Sequence, residues 1–336
     1  MFLFIFQFFL LNLSLKADES EGKSNAIEIV KRFAHNGEIH RARHMPQNSK
    51  MIATIGPSGD VTLYNTDQKE SSKNGGIVGR GKSHGVDGYG LRWSHAVAGR
   101  LVSAANDGSI CFWDANSPTL KMSPVVKLSD STNAKGSIND IALSSTNGDV
   151  CWAVGEEKRI DTWDARKGSK SGPTSSRANA HDGEIMCVDA SMHKEHLLLT
   201  GGADSVVKLW DSRNMKTFLH SMEGCHSDDV TSVRWSPTSA SFFMSSGGDR
   251  RVNVWDLGRI GQEQNEEDGR DGPPELLFVH GGHTGVVDDV AWCTSDGGNG
   301  FLVASVADDN IVQCWQMQKS LYAEEEVVVD AMELEE

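Results

Sequence analysis

Hydrophobic and polar positions alternate with a period of two along most of the chain, which is typical of β-strands with one buried face. Between residues 184 and 212 the runs EIMCVDAS, HLLLTGG and SVVKLWDS follow one another. Turns rich in Gly and Asp, such as GGAD and GGDR, separate runs of this kind. We therefore predict small antiparallel sheets of three consecutive strands, each with an outer strand taken from the preceding linker.

The same unit recurs six times. An aromatic residue closes the third strand at intervals of 45 to 60 residues, and in four units it belongs to a Trp-Asp pair. The six aromatic positions are Tyr64, Trp113, Trp163, Trp210, Trp255 and Trp315. A repeat of this length predicts an architecture in which each unit is one small sheet.

Three further markers keep register with the aromatic residue: a His about 29 residues before it, a Ser or Thr ten before it and an Asp six before it. The four complete sets are His84, Ser103, Asp107 and Trp113; His181, Thr200, Asp204 and Trp210; His226, Ser245, Asp249 and Trp255; and His283, Ser305, Asp309 and Trp315. These markers resemble those of the WD-repeat β-propellers. The resemblance implies a buried hydrogen-bonded relay in each blade, so these His residues are expected to be structural and to bind no metal.

Five stretches are more specific than a propeller requires. They are GEIHRARHMPQN (37–48), DGYGLRWS (87–94), GGDRRVNVWDL (247–257), DGPPELLFVHGGHT (271–284) and ADDNIVQCWQM (307–317). Over residues 26–322 the chain resembles the histone-binding WD-repeat proteins, the retinoblastoma-binding and MSI-type chromatin subunits. The resemblance implies an all-β, seven-bladed propeller with an N-terminal helix. It also implies a nuclear, non-enzymatic scaffold without a cofactor, serving chromatin assembly, remodelling, deacetylase or Polycomb-type complexes.

We divide the chain into an N-terminal segment (1–25), a propeller (26–318) and a short C-terminal helix with an acidic tail (319–336). Residues 1–15 are almost all apolar, yet too few for a membrane span of about 20 residues. Two interpretations stay open: a signal peptide ending at Ala17, which would mean secretion, or translated non-coding sequence in place of the family's first helix and blade. We favour the second, because only six of the seven expected units are found.

Net charge and cysteine usage limit the classes of binding partner that we expect for this chain. The chain carries a formal charge of −15, which disfavours direct nucleic-acid binding and favours basic partners such as histones. The six Cys form no CxxC pair, so we predict reduced thiols in an intracellular protein and no zinc ribbon. Other subunits of chromatin complexes are the remaining expected partners, and no membrane is expected.

The resemblance implies two histone-binding surfaces. The first is a groove for a histone helix, bounded by the family's N-terminal helix and a loop with paired prolines, here residues 263–275. This loop has six acidic residues and one Arg, and its prolines reduce the ordering entropy on binding. The groove candidates are Glu267, Asp268, Asp271, Gly272, Pro273, Pro274, Leu276, Leu277, Leu321 and Tyr322. Two alternatives stay open, namely that the loop is merely solvated and that the leucines belong to the core.

The second surface is the end of the propeller at which the inner strands begin. There the family captures a basic tail, and converging carboxylates would focus negative potential on the central channel. An inserted Arg or Lys would make charge-assisted hydrogen bonds. The matching positions are Glu38, His40, Arg41, Asp87, Tyr89, Glu184 and Asp229.

The remaining motifs do not indicate an enzyme. Residues 76–83, GIVGRGKS, match the P-loop pattern but lie in a linker without the required strand and helix. His40 and His44 have helical metal spacing without a third ligand, and there is no GxSxG motif. The competing function is a generic WD-repeat scaffold or adaptor, in signalling or in substrate recognition by a ubiquitin ligase. The paired-proline loop favours histone binding, because a generic scaffold has no need of it.

Overall fold

A computed structural model of the protein describes most of the propeller region. The described residues are 11–12, 28–29, 31–68, 74–116, 118–119, 121–129, 136–168, 172–293 and 301–322. The predictions for residues 1–10, for Ala17 and for the acidic tail lie outside these residues. Within the described ranges, no helix is both long and apolar enough to cross a bilayer.

The described strands form six antiparallel sheets arranged as a β-propeller, which confirms the predicted all-β fold. We refer to the sheets as blades one to six. Blade one contains β3 (Arg41–Met45), β4 (Asn48–Ile55), β5 (Val61–Asn65) and β6 (Ile77–Gly81). Blade two contains β7 (Gly88–Trp93), β8 (Arg100–Ala105), β9 (Ile110–Asp114) and β10 (Val126–Leu128). Blade three contains β11 (Ile138–Leu143), β12 (Val150–Gly155), β13 (Ile160–Asp164) and β14 (Ser175–Arg177).

The remaining blades continue the same order. Blade four contains β15 (Ile185–Ala190), β16 (Leu197–Gly202), β17 (Val207–Asp211) and β18 (His220–Met222). Blade five contains β19 (Val230–Trp235), β20 (Phe242–Gly247), β21 (Val252–Asp256) and β22 (Leu276–His280). Blade six contains β23 (Val287–Cys293), β24 (Leu302–Ala307) and β25 (Val312–Gln316). A separate two-stranded sheet pairs β1 (Leu11–Asn12) with β2 (Glu28–Ile29).

The predicted origin of the outer strand is wrong. Each four-stranded blade takes its outer strand from the linker that follows its third strand: β6 pairs with β5, for example, and β18 with β17. The linker does precede the next His marker, but its strand pairs with the strand before it. After the third strand the chain turns back and runs antiparallel alongside the strand that it has just left. The sequence unit and the blade are therefore offset by one strand.

The core lies between neighbouring blades. The third-strand residues Trp113, Trp210 and Trp255 are completely buried, each facing the preceding blade. Replacing a buried Trp of this kind by Ala costs about 3–5 kcal/mol. The fold is therefore a ring of contacts between sheets, and each blade is stabilised by its neighbours.

Ion pairs from the inner strands line the propeller axis. Arg43 of blade one and Arg234 of blade five both contact Asp289 of blade six, at 2.8 and 2.9 Å. Arg92 of blade two contacts Asp140 of blade three at 3.2 Å. Burial alone would raise the pKa of Asp289, but the guanidinium groups of Arg43 and Arg234 hold it far below its usual range. These ion pairs connect blades, including the first with the sixth.

Candidate functional site

The relay markers lie in contact in four blades. In blade two, His84 Nε2 is 2.8 Å from Ser103 Oγ, and Trp113 Nε1 donates to the same Oγ at 2.9 Å. His84 Nδ1 lies 3.3 Å from Asp107. The same contacts, at 2.7 to 3.1 Å, join His181, Thr200, Asp204 and Trp210; His226, Ser245, Asp249 and Trp255; and His283, Ser305, Asp309 and Trp315.

Electrostatics couples the members of each relay. Burial alone would lower the pKa of His84, but the hydrogen bond with Asp107 raises it to about 9. Burial would likewise raise the pKa of Asp204, yet its bond with His181 lowers it to about 2. Both ring nitrogens of each relay His are engaged within the blade, so these residues hold the fold together.

Blade three has no such relay. Ala153 stands where the other blades carry Ser or Thr, and the buried Nε1 of Trp163 has no hydrogen-bond partner. Blade one keeps a partial version, with His35 Nε2 3.3 Å from Thr54 Oγ1. The sequence markers therefore predict correctly which blades contain the complete relay.

A β-bulge interrupts the second position of five inner strands. The register shifts between the flanking residues of each bulge in β7, β11, β15, β19 and β23. A bulge bends its strand and re-aims the extra side chain. The bulge residues are Tyr89, Asn139, Met186, Thr231 and Asp288. The bulge residues of the four relay blades each lie five residues after the relay His of their blade. In blade one, His40 likewise lies five residues after His35.

These side chains form a ring where the inner strands begin, and we call this ring the axial mouth. Its members are His40, Tyr89, Asn139, Met186, Thr231 and Asp288. Three of them donate to the first carbonyl of the next inner strand: His40 to Gly88, Asn139 to Ile185 and Thr231 to Val287. These hydrogen bonds link blade one to two, blade three to four and blade five to six at the axial mouth.

The predicted tail-binding residues collect at one part of the axial mouth. The His40 imidazole stacks flat on the Tyr89 ring, with centroids 4.4 Å apart and planes 2° apart. Burial lowers the pKa of His40, and the carboxylates of Asp87 and Glu38 only partly oppose that shift. The lowered pKa favours the neutral imidazole near pH 7, and the charged groups beside the ring are Glu38, Asp87 and Arg41.

The other predicted residues occupy the same end of their blades. Arg41 begins β3 and is half-buried, with its Nε lacking a hydrogen-bond partner. Glu184 is exposed immediately before β15, and Asp229 is half-buried immediately before β19. Burial and the neighbouring Asp228 raise the pKa of Asp229. Carboxylates from four blades thus stand at the propeller end that carries the axial mouth.

Sequence reasoning missed Asp288 at the axial mouth. Its Oδ2 is buried without a hydrogen-bond partner. Burial and the adjacent Asp308 raise the pKa of Asp288 to about 7, while Arg41 partly offsets the rise. Asp288 lies five residues after His283, the relay His of blade six, and this fixed sequence spacing is the signal that could have identified it.

The paired-proline loop, residues 263–275, projects from blade five. It contains a short helix, α1 (Asp268–Asp271), and Gly272, whose φ of +143° favours glycine. A Cβ on residue 272 would lie only 2.7 Å from Leu276 Cδ2. The turn into the half-buried Pro273 and Pro274 therefore also requires a residue without a side chain. The Glu267 and Asp271 side chains are exposed.

Glu275 does not belong to the exposed acidic face of this loop. It is only 4% exposed, and its Oε1 lies 2.6 Å from Nε2 of His220 on the outer strand of blade four. Its carbonyl oxygen accepts from the Asp256 amide at 2.9 Å. This hydrogen bond between His220 and Glu275 ties the foot of the loop to a second blade.

The predicted groove leucines separate onto two faces. Leu277, Leu321 and Tyr322 pack into the core between blades five and six, and the Tyr322 ring stacks on Phe301 at 3.9 Å. Leu276 packs on the opposite side, toward blade four. Leu321 ends a 3₁₀ turn over Lys319–Leu321, where the C-terminal helix was predicted.

The motifs set aside in the sequence acquire no chemistry in the fold. The P-loop-like run spans β6, and no helix follows it before β7. In the described part of the chain, no three His, Cys, Asp or Glu residues are grouped to hold a metal ion. All six Cys thiols are free, and burial raises the pKa of Cys151 and Cys187.

Comparison with known proteins agrees with this architecture. The family "WD domain, G-beta repeat" matches residues 173–211 and 216–256, spans that begin near the outer strand of one blade and end on the third strand of the next. The histone acetyltransferase type B subunit 2 of Debaryomyces hansenii is 34% identical over 322 residues, covering 93% of this chain and 74% of that protein. With this identity and coverage added to the repeat geometry, the chain belongs to the histone-binding WD-repeat family of chromatin subunits.

Proposed function

We propose that the protein is a nuclear, non-enzymatic subunit that binds core histones on behalf of chromatin complexes. The observation that carries the proposal is loop 263–275, which combines exposed carboxylates, paired prolines and a hydrogen bond from His220 to the buried Glu275 at its foot. The name of the Debaryomyces relative, a subunit of a histone acetyltransferase, supports the same role. The protein would present histones to a catalytic subunit or an assembly factor.

The loop is suited to a basic helix. Glu267 and Asp271 would pair with Arg or Lys side chains on one face of that helix, and such charge-assisted bonds are strong and directional. The apolar face of the helix would approach the surface near Leu277, Leu321 and Tyr322, in the manner of helix-in-groove recognition. The prolines and the His220–Glu275 hydrogen bond would keep the loop in its binding conformation, which limits the entropy lost on docking.

The axial mouth is suited to a basic tail. We propose that a Lys or Arg side chain enters beside the His40–Tyr89 stack, where Glu38 and Asp87 flank the aromatic faces. A cation over an aromatic ring gains about 0.5–2 kcal/mol, and nearby carboxylates add to this attraction. Glu184, Asp229 and Asp288 would hold the following basic residues of the tail.

Two sets of charge reversals separate the surfaces. Purified full-length protein would be titrated with fluorescent core-histone helix peptides and with basic tail peptides. We expect Glu267→Lys with Asp271→Lys to weaken only helix binding, by about tenfold or more, and Glu184→Lys with Asp229→Lys to weaken only tail binding. The matched control is Asp67→Lys, which reverses an exposed acid in blade one.

The proposal fails if Asp67→Lys weakens both ligands as much as the site variants do, because the attraction would then be general electrostatics. It also fails if none of the core-histone peptides binds the unmodified protein at physiological salt. Selective loss of one ligand per variant pair supports two separate histone sites.

A further inference from the structure

The chain contains four Asn-Gly pairs, and three of them lie among the described residues. In such a pair the backbone nitrogen of the glycine can attack the asparagine side chain, because glycine has no Cβ to hinder the approach. The described pairs are Asn36–Gly37, Asn74–Gly75 and Asn147–Gly148. The structure gives these three pairs different surroundings, so they should differ in reactivity.

The Asn36–Gly37 pair is open to solvent and unrestrained at the reacting atoms. Both residues are exposed, and neither the Asn36 side chain nor the Gly37 amide hydrogen-bonds to a described residue. Gly37 has a φ of +90°, and a Cβ there would meet no atom within 4 Å beyond its chain neighbours. The Gly37 carbonyl accepts from His35 Nδ1 at 3.2 Å, which leaves the amide nitrogen available. Ring closure therefore meets no steric obstacle here.

The other two pairs are held in place. Asn147 is half-buried, its side-chain oxygen accepts from the Asp149 amide at 3.1 Å, and Gly148 is buried. Asn74 is exposed, but its carbonyl accepts from the Ile77 amide at 3.1 Å within a turn. That hydrogen bond restrains the backbone angle of Asn74 that ring closure must change. Both pairs serve as internal references for the first.

We propose that Asn36 is a site of deamidation. The Gly37 nitrogen bonds to the Asn36 side-chain carbonyl carbon, the bond from this carbon to Nδ2 breaks, and ammonia leaves with the proton of the Gly37 amide. Water then opens the cyclic succinimide and leaves aspartate or isoaspartate at position 36. Water is the only co-reactant. A neutral amide becomes a carboxylate, which is ionised at pH 7, so the chain gains one negative charge.

The new charge appears at the propeller end that carries the axial mouth. Asn36 lies two residues before Glu38, and blade four has an aspartate at the equivalent place, because His181 is followed by Asp182. Blade four therefore shows that a carboxylate is compatible with the fold at this position. A further carboxylate beside Glu38 strengthens the attraction for a basic tail, a consequence that rests on the tail binding proposed above.

Peptide mapping by mass spectrometry tests the modification itself. Purified full-length protein is incubated at mildly alkaline pH, sampled over time and digested, and isoaspartate is detected by labelling with an isoaspartate methyltransferase. We expect conversion at position 36 to be faster than at positions 74 and 147. In urea-unfolded protein the three positions should convert at similar rates, because the difference comes from the folded structure. Conversion of the folded protein at position 36 no faster than at position 147 would overturn the proposal.

A charge-mimicking variant tests the consequence for binding. Asn36→Asp reproduces the added charge without lengthening the main chain, as isoaspartate would. We expect it to bind a basic tail peptide about two- to threefold more tightly at low salt, with the difference disappearing at high salt. The matched control is Asn74→Asp, which adds the same charge before β6, at the opposite end of blade one. It should leave tail affinity unchanged.

The two parts of the inference fail separately. Equal tightening by Asn36→Asp and Asn74→Asp, or no tightening by Asn36→Asp, would overturn the role of the charge at the axial mouth. If no tail peptide binds the unmodified protein, the proposed tail site fails and this consequence fails with it. Peptide mapping still decides whether Asn36 is the deamidation site, because it requires no ligand.

Discussion

Replacing His220 by Ala tests whether its hydrogen bond with Glu275 holds loop 263–275 in place. The substitution leaves the Glu275 carboxylate, whose side chain is 6% exposed, without its partner at 2.6 Å. A buried charge that loses its partner must either be hydrated by moving its backbone or be protonated. Because Glu275 directly follows the paired prolines, the first response displaces the foot of loop 263–275.

The expected magnitude follows from the burial of the two partners. Breaking a fully buried ion pair costs about 3–5 kcal/mol. The His220 side chain is 30% exposed, so water can reach the vacated position and reduce the penalty. We therefore expect His220→Ala to lower the free energy of unfolding by about 1.5–3 kcal/mol, the range for a hydrogen bond to a charged group.

Two measurements follow this change. Urea unfolding monitored by Trp fluorescence gives the loss of stability, and titration with the histone helix peptide gives the loss of affinity. Tail-peptide binding at the axial mouth should stay unchanged. His193→Ala is the matched control, because this exposed ring makes a 3.1 Å contact only with the Pro237 carbonyl. In a double-mutant cycle, Glu275→Gln should remove most of the penalty of His220→Ala, since a neutral amide tolerates the missing partner better.

The reasoning is refuted if His220→Ala costs no more than His193→Ala. It is also refuted if His220→Ala lowers stability by the expected amount and leaves helix-peptide affinity unchanged. The second outcome would make the ion pair structural only, without a role in positioning the loop.

Three further predictions concern the relay blades and the axial mouth. The pKa of Asp288 is raised to about 7, so its carboxylate charges as pH rises through neutrality, and tail-peptide affinity measured by anisotropy should increase from pH 6 to pH 8. Asp288→Asn should flatten that profile, and an equally steep profile in the variant would contradict the assignment. Ala153→Ser should raise the free energy of unfolding by about 1 kcal/mol, because it offers the unpaired Trp163 Nε1 an acceptor; a decrease would mean that the hydroxyl does not fit. The pKa of His84 is raised to about 9, so its contribution to stability is complete below about pH 6.5 and is lost as pH rises through about 9. Urea unfolding of Asp107→Asn should show a weaker loss over this interval than the unmodified protein does.

Local signals in the sequence predict most of the fold. The alternating strands, the Gly-Asp turns and the third-strand Trp residues all act within a single blade, and all are confirmed. The relay of blade two needs only residues 84 to 113, which one hairpin pair brings together. Such markers are readable because their partners lie a fixed number of residues away.

Contacts between blades were not predictable in this way. The Arg43–Asp289 pair joins the first and sixth blades, and the His220–Glu275 pair joins an outer strand to a loop foot. Their geometry depends on which sheets become neighbours and how each is rotated about the axis, and no spacing in the sequence encodes this. The pairing of the outer strands was not predictable either, because it depends on the direction in which the chain turns back after the third strand.

The bulges of the inner strands separate recognition from stability. Each bulge residue is the extra residue of its strand, outside the regular ladder of hydrogen bonds, so its side chain can change without altering strand pairing. Blades two to six each contribute one such side chain to the ring around the axis. In the proposed tail-binding role, ligand preference at that end can diverge one position at a time, while the His–Ser/Thr–Asp–Trp networks stabilise blades two, four, five and six.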